Sequence, residues 1–294
     1  SALIGWALLF STVQCWHNIG HGVILDIALH DLSFRIQKKI RFELSNLQED
    51  SLNINEAYSA ACWADEIKKT PRYEYTWRWH VVDMPNWDGS ESVLSQTNAL
   101  INEMKRLPNH AKELRFLVHV VGDLHQPYHT DASQQYGSLQ TVTVGSITEN
   151  VHFFTDHVAG AIANPRDLPF SSQSLDLIRQ LGKSIGSRCT AKERSGDIST
   201  LLLRWAEASH EKRKAIDAVL QNRSDDRLSP EQLEQIQNLL LDQLCLAGHH
   251  LAIVLQAVYA PRSFRPLLFL LSGLLLFIII LFKKQHTKKT KRRR

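Results

Sequence analysis

The chain has 294 residues, with 34 Lys and Arg against 30 Asp and Glu, and a formal charge of +4. Eight of the basic residues lie beyond position 282 with no acid among them, so setting them aside takes +4 to −4 for everything before. A mildly acidic body excludes nucleic-acid binding through bulk basic charge, and any phosphate must be held by local cations. The length allows one large domain or two small ones, with ample apolar residues for a core.

Residues 2–10, ALIGWALLF, form a short apolar stretch followed by polar Ser11 to Gln14 and then Cys15. This pattern resembles the end of a secretory signal peptide, and 1–15 is read as its remnant, with a buried N-terminal helix as the alternative. Val23, Ile24, Ile27, Ala28 and Leu32 recur at helical spacing, and Ile40, Leu44 and Leu47 continue or follow that helix. Residues 94–106 and 111–126 read as helices around the turn Leu107-Pro108-Asn109, and Pro127 stops the second. The β-branched, glycine-containing stretch 132–150 predicts a hairpin or a mobile loop. Ser199 to His210 and Pro230 to Tyr259 are amphipathic, the latter apolar at Leu233, Ile236, Leu240, Leu244, Leu251 and Leu255. With no repeat and no linker, 16–262 reads as a single all-α domain.

Leu267 to Phe282 is a 16-residue apolar run, interrupted only by Ser272 and Gly273, about 24 Å long as a helix and marginal for a bilayer span. The basic KKQHTKKTKRRR follows, a cytoplasmic stop-transfer flank. The expectation is a transmembrane helix over 263–283, a cytoplasmic tail over 284–294, and a single-pass type I topology with the main domain luminal or extracellular. If Cys15 leaves with the signal, Cys62, Cys189 and Cys245 allow three pairings with one thiol over. Cys62 neighbours the candidate ligand Asp65, which favours Cys189–Cys245. Asn222-Arg-Ser224 is a glycosylation sequon in a polar, loop-like stretch.

The most informative segment is 114–130, LRFLVHVVGDLHQPYHT. His119 and Asp123 are four apart and share one helix face, while His129 falls past the proline break. The apolar residues around them imply burial, and buried charge needs a partner such as a metal. His and Asp together suit zinc. Two His-x3-Asp pairs occur, His119/Asp123 and His152/Asp156, where composition predicts about 0.8. That excess is small, so the case rests on the accompanying motifs. CWHNIGH (15–21), ACWADEIK (61–68), YTWRWHVVD (75–83) and NVHFFTD (150–156) complete the set Trp16, His21, Asp65, His80, His119, Asp123, His129, His152 and Asp156.

On these motifs the chain resembles the zinc-dependent class I nucleases: fungal single-strand-specific nucleases, plant bifunctional nucleases and trypanosomatid 3′-nucleotidase/nucleases. The resemblance covers about 16–260, and its most specific part is HxxGDxHQPxH, His119 through His129. It implies a helical domain around three zinc ions that hydrolyses single-stranded DNA and RNA and 3′-nucleotides by metal-activated water. One zinc would take Asp65, His80, His119 and Asp123. The second would take Asp123, His21, and the amino nitrogen and carbonyl oxygen of a mature N-terminal Trp16. The third would take His129, His152 and Asp156. Asp123, Asp65 and Lys68 would be catalytic. Lys68, at a position usually Arg, would touch phosphate without the bidentate fork. Val81, at a position often aromatic for base stacking, and Asp83 would contact the nucleotide. The membrane is expected as partner through the C-terminal helix, and no obligate protein partner is implied.

The chain departs from the family pattern at Val81, at Thr155 in place of a Trp, and in 131–140, where a Gly-Gly-Asn stretch is missing. A zinc phospholipase C of similar fold is the first alternative, but bacterial enzymes of that type end their ligand set in Glu rather than Asp156. A catalytically inactive, zinc-stabilised surface binding protein is the second. His30, His110, His157, His210, His249 and His250 match no motif and read as surface or core residues. The aromatic group Tyr73, Tyr75, Trp77, Trp79 and Trp87 reads as core packing rather than a base platform.

Overall fold

The computed structural model describes residues 16–47, 52–107, 109–163, 165, 168–190, 196–223 and 227–259. The expected signal remnant, transmembrane helix and basic tail lie outside these residues.

α1 (Asn18–Asp31) is buried at every position from Ile19 to Leu29, which its nearly unbroken apolar sequence requires. Ser33 starts a separate α2 (Phe34–Leu44), amphipathic, with Ile40 and Leu44 inward. Glu56 accepts hydrogen bonds from the Tyr58 and Ser59 amides to start α3 (Ala57–Ala60), and α4 (Trp63–Ile67) follows. A 3₁₀ segment, Glu74–His80, leads to α5 (Val93–Met104), which opens on a Ser92/Ser95 capping box. α6 (Ala111–Asp123) ends three residues short of the expected Gln126, because the Gln126 amide bonds back to the Asp123 carbonyl. A 3₁₀ turn over Pro127–His129 then uses the proline where no amide is needed.

Of the two readings of 132–150, the hairpin is the one found: β1 (Thr141–Val144) pairs antiparallel with β2 (Ile147–Asn150), Thr141 opposite Asn150. Gly145 turns it at φ +59°. Asn150 caps α7 (Val151–Asp156) through the Phe153 amide. α8 (Ser172–Gly186) was not anticipated, although Leu175, Ile178, Leu181 and Ile185 have helical spacing. α9 (Ile198–Gln221) runs past His210 for three more turns, burying Arg213, Ile216, Val219 and Leu220. α10 (Pro230–Tyr259) has the bounds expected. Cys189 on the α8 side is bridged to Cys245 in α10, and Cys62 is a buried free thiol.

Close helix contacts set the directions. Gly22 and Gly182 let α8 lie against α1 beside Ile178 and Asp26, and Gly248 lets α10 approach Ile27. Gly20 faces Leu244, Ile24 and Ile27 face Gly248, and Asp31 bonds His249, so α10 runs beside α1 in the same sense. α6 runs opposite to α1, since Gly122 near its end meets His21 near the start of α1. α2 lies at the far end of this pair. It begins two residues after Leu32, and its last turn bonds the start of α6 through Glu43–His110 and Arg115–Leu44. α10 is the one described helix long and apolar enough to cross a membrane, but Ile236, Leu240, Leu244, Leu251 and Leu255 are fully buried, marking a core helix.

Candidate metal centre

Six segments bring their side chains together where α1 begins and α6 ends. Asp65 comes from α4, His80 from the end of the 3₁₀ segment, and His119 and Asp123 from the last turn of α6. His119 Nε2 lies 3.4 Å from Asp65 Oδ1 and 3.3 Å from Asp123 Oδ2, while His80 Nδ1 lies 3.6 Å and 2.8 Å from the same two oxygens. Two donors at about 2.0–2.1 Å from a tetrahedral zinc stand about 3.3–3.5 Å apart, so two of these four separations match the edges of such a site and a third, at 3.6 Å, is close to it. The other Asp123 oxygen, Oδ1, faces His21 Nε2 at 3.5 Å. One carboxylate thus turns its two oxygens to two ligand groups. In α7, His152 Nε2 and Asp156 Oδ2 are 3.5 Å apart on one helix face, with the His129 ring stacked on His152 at 5.0 Å. Three groups at this centre have ligand atoms mutually within 4.8 Å: Asp65/His80/His119, His21/His119/Asp123 and His129/His152/Asp156.

Atoms left without hydrogen bonds test whether these residues fit a metal. Neither ring nitrogen of His21 has one, nor do His119 Nε2, Asp123 Oδ1 and Asp156 Oδ2, all of them buried. Unsatisfied buried polar atoms are costly, and here they converge in one place. The donor set of imidazole nitrogens and carboxylate oxygens, with no thiolate, fits zinc.

Several contacts aim the ligands. Nδ1 of His119, His129 and His152 bonds the carbonyls of Ala61 (2.7 Å), His80 (2.8 Å) and Tyr136 (2.7 Å). A protonated Nδ1 held this way leaves Nε2 as the ligating nitrogen. Gln126, which no motif singled out beyond its place in the HxxGDxHQPxH run, is fully buried. It donates to Asp156 Oδ1 at 2.5 Å and Thr155 Oγ1 at 3.1 Å, and accepts from the Tyr128 amide. At Gly122 a Cβ would come within 3.0 Å of His21 Nδ1, so glycine admits the histidine; a glycine inside an apolar helix was the available signal. Gln134, Gln135, Tyr136 and Gly137 all have positive φ. This strained run presents the Tyr136 carbonyl to His152. Arg213, 2% exposed, pins the run by bonding the Asp131 and Ser133 carbonyls.

Electrostatics divides the cluster. Burial, reinforced by His119, takes His21 well below the usual imidazole range. Burial likewise lowers His80 to about 4 and His129 to about 3, leaving both neutral as ligands must be. For His119 burial is outweighed by Asp123 and Asp65, which raise it to about 10. Asp65 and Asp123 resist burial and stay well below the carboxylate range, through Lys68 for the first and His119 for both. Burial pushes Asp156 well above that range, against the Gln126 hydrogen bond. Without a metal, Lys68 and the His119 proton are therefore the main counter-charges of Asp65 and Asp123.

The other expected residues also fall here. Trp16 is fully buried, its indole donating to the Gly122 carbonyl at 2.9 Å, while the His17 amide donates to the Asp156 carbonyl at 3.1 Å. Lys68 Nζ is 2.6 Å from Asp65 Oδ1. Asp83 accepts from Asn86 and the Ala132 amide, and Val81 is buried at 4% exposure. Reading the aromatic group as core packing needs correction. Trp79 packs edge-on and Tyr73 tilted against Phe116, but Tyr75 is 57% and Trp77 42% exposed. A 3₁₀ turn of about three residues distributes consecutive aromatics to different sides.

Fold and site together define a predominantly helical protein with candidate metal-binding groups gathered where α1 begins and α6 ends. Residues 16–260 match the S1/P1 nuclease family model, and the chain belongs to that family. It is 25% identical over 277 residues to nuclease S1 of Aspergillus oryzae (strain ATCC 42149 / RIB 40), covering 84% of this chain and 93% of the relative. Nuclease P1 of Penicillium citrinum is 28% identical over 154 residues (47% and 55%), and endonuclease 3 of Arabidopsis thaliana 27% over 140 residues (41% and 46%).

Proposed function

We propose that this chain is a zinc-dependent phosphodiesterase and phosphomonoesterase that hydrolyses single-stranded DNA and RNA and 3′-nucleotides. The observation that carries this reading is the Asp123 carboxylate, with one oxygen among Asp65, His80 and His119 and the other before His21. In a family of nucleases, that arrangement supports two metals sharing one ligand. Asp65, His80, His119 and Asp123 would hold the first, Asp123, His21 and the Trp16 amine and carbonyl the second, and His129, His152 and Asp156 the third. Bound zinc would supply a water of lowered pKa and positive charge for the phosphate. Lys68, 11% exposed at its side chain, swings between Asp65 and a phosphate oxygen. Asp83 orients the nucleotide, and Val81, lacking an aromatic face, discriminates bases weakly.

A mature start at Trp16 is supported by its anchorage to α6 and α7, and the Cys189–Cys245 bridge supports an oxidising, luminal or extracellular compartment. On this reading the domain spans 16–262, with a membrane span at 263–283. The test is hydrolysis of single-stranded DNA, RNA, duplex DNA, 3′-AMP and phosphatidylcholine by the full chain, before and after chelation. Chelator-sensitive cleavage of single strands and 3′-AMP is expected. Cleavage of phosphatidylcholine alone, or full activity after complete metal removal, overturns the reading.

A further inference from the structure

We propose that the outward face of α2 is a contact for a phospholipid surface, its basic side chains at the phosphates and its phenyl rings in the acyl boundary. This rests on the reading of 263–283 as a membrane span. Phe34, 79% exposed, and Phe42, 68% exposed, are the most exposed large apolar residues among those described. They lie about 80° apart around the helix with Lys38 between them. Arg35 and Lys39 are exposed on the same side. The single acid of α2, Glu43, is turned toward His110 at 3.0 Å, with Lys39 3.7 Å from its other oxygen. A helix with aromatic and basic residues on one face and no acid projecting there has the make-up of an interfacial helix.

Its place in the fold selects the lipid. The metal-centre residues cluster where α1 starts and α6 ends, whereas α2 spans the end of α1 and the start of α6, about 12–18 Å away by the rise from His21 to Asp31 and from His119 and Asp123 back to Ala111. α10 runs in the same sense as α1, extends about 15 Å past the His249–Asp31 contact, and ends at Tyr259 on that same side. From Tyr259 the sequence reaches the apolar run at Leu267 within eight residues, a reach of at most about 29 Å. Contact through α2 leaves the metal centre facing away from the surface, open to a polyanion from solution.

The full chain is reconstituted into vesicles of phosphatidylcholine, with and without phosphatidylglycerol, carrying brominated acyl chains. Phe34→Trp and Phe42→Trp each place an indole on this face, and its quenching is read against the unaltered chain. Added quenching is expected for both, stronger with phosphatidylglycerol, and lost on combining Arg35→Glu and Lys38→Glu. Cleavage of a dinucleotide should not change in any of these. Flotation with the vesicles separately reports the anchor. A chain that floats without added quenching overturns the contact while leaving the anchor, and a chain that does not float overturns both. Loss of affinity for a long single strand in Phe34→Ala/Phe42→Ala, without quenching, would assign the face to nucleic acid and overturn the proposal.

Discussion

Replacing Gln126 with Leu should weaken the third metal group without touching a ligand. Gln126 is fully buried, and its amide nitrogen holds Asp156 Oδ1 while its oxygen takes the Tyr128 amide. Leucine fills most of the volume but leaves that amide unpaired, at about 1–3 kcal/mol, which in a domain of this size lowers Tm by about 2–6 °C. Asp156, already pushed up by burial, loses the hydrogen bond that opposes the shift, so a metal must displace a proton more often. Residues that orient ligands typically carry about 10–100-fold of affinity, here about 1.4–2.7 kcal/mol. Gln126→Glu separates the two effects. It retains an acceptor for Tyr128, so Tm falls less, yet it sets a second carboxyl against Asp156 and metal affinity falls at least as far. Competition for zinc against a chromophoric chelator, with melting measured in parallel, reads both. Unaltered zinc affinity in both variants would show that Asp156 binds no metal or that Gln126 does not orient it.

Three further outcomes are expected. The metal-free protein should be most stable near pH 6.5: below it His80 and His129, depressed to about 4 and about 3, lose stability as they are forced to charge, and above it His119, raised to about 10, loses the proton that pairs with Asp65 and Asp123. A chelated Tm that rises steadily from pH 5 to 8.5 would contradict this. A residue added before Trp16 turns its amine into an amide, so the extended protein should bind about two zinc ions instead of three and regain the third on cleavage of the extension; three ions in the extended protein would remove Trp16 from the ligand set. Gly182→Ala places a Cβ 2.2 Å from Asp26 Oδ2, and overpacking of about 1–3 kcal/mol should outweigh alanine's helix preference of about 1 kcal/mol, lowering Tm. An unchanged Tm would mean that α8 shifts freely on α1.

Local periodicity was legible in the sequence. His119/Asp123 and His152/Asp156 share helix faces because four residues make about one turn, and the bounds of α10 follow from its apolar spacing and initial proline. The HxxGDxHQPxH run pointed to the family for the same reason: it compresses several site residues into one short segment. The segment read from the sequence ends at His210, short of α9, because the charged EKRK stretch masks Ile216 and Val219, whose burial depends on partners elsewhere. Which nitrogen of His119, His129 and His152 faces the centre was decided only in three dimensions, by carbonyls of Ala61, His80 and Tyr136 that lie 58, 49 and 16 residues away. The Gln126–Asp156 bond, the admission of His21 over Gly122, and the location of α2 opposite the metal centre have the same origin. A backbone period places a side chain on its own helix, but what that side chain meets depends on helix directions set by distant glycine contacts.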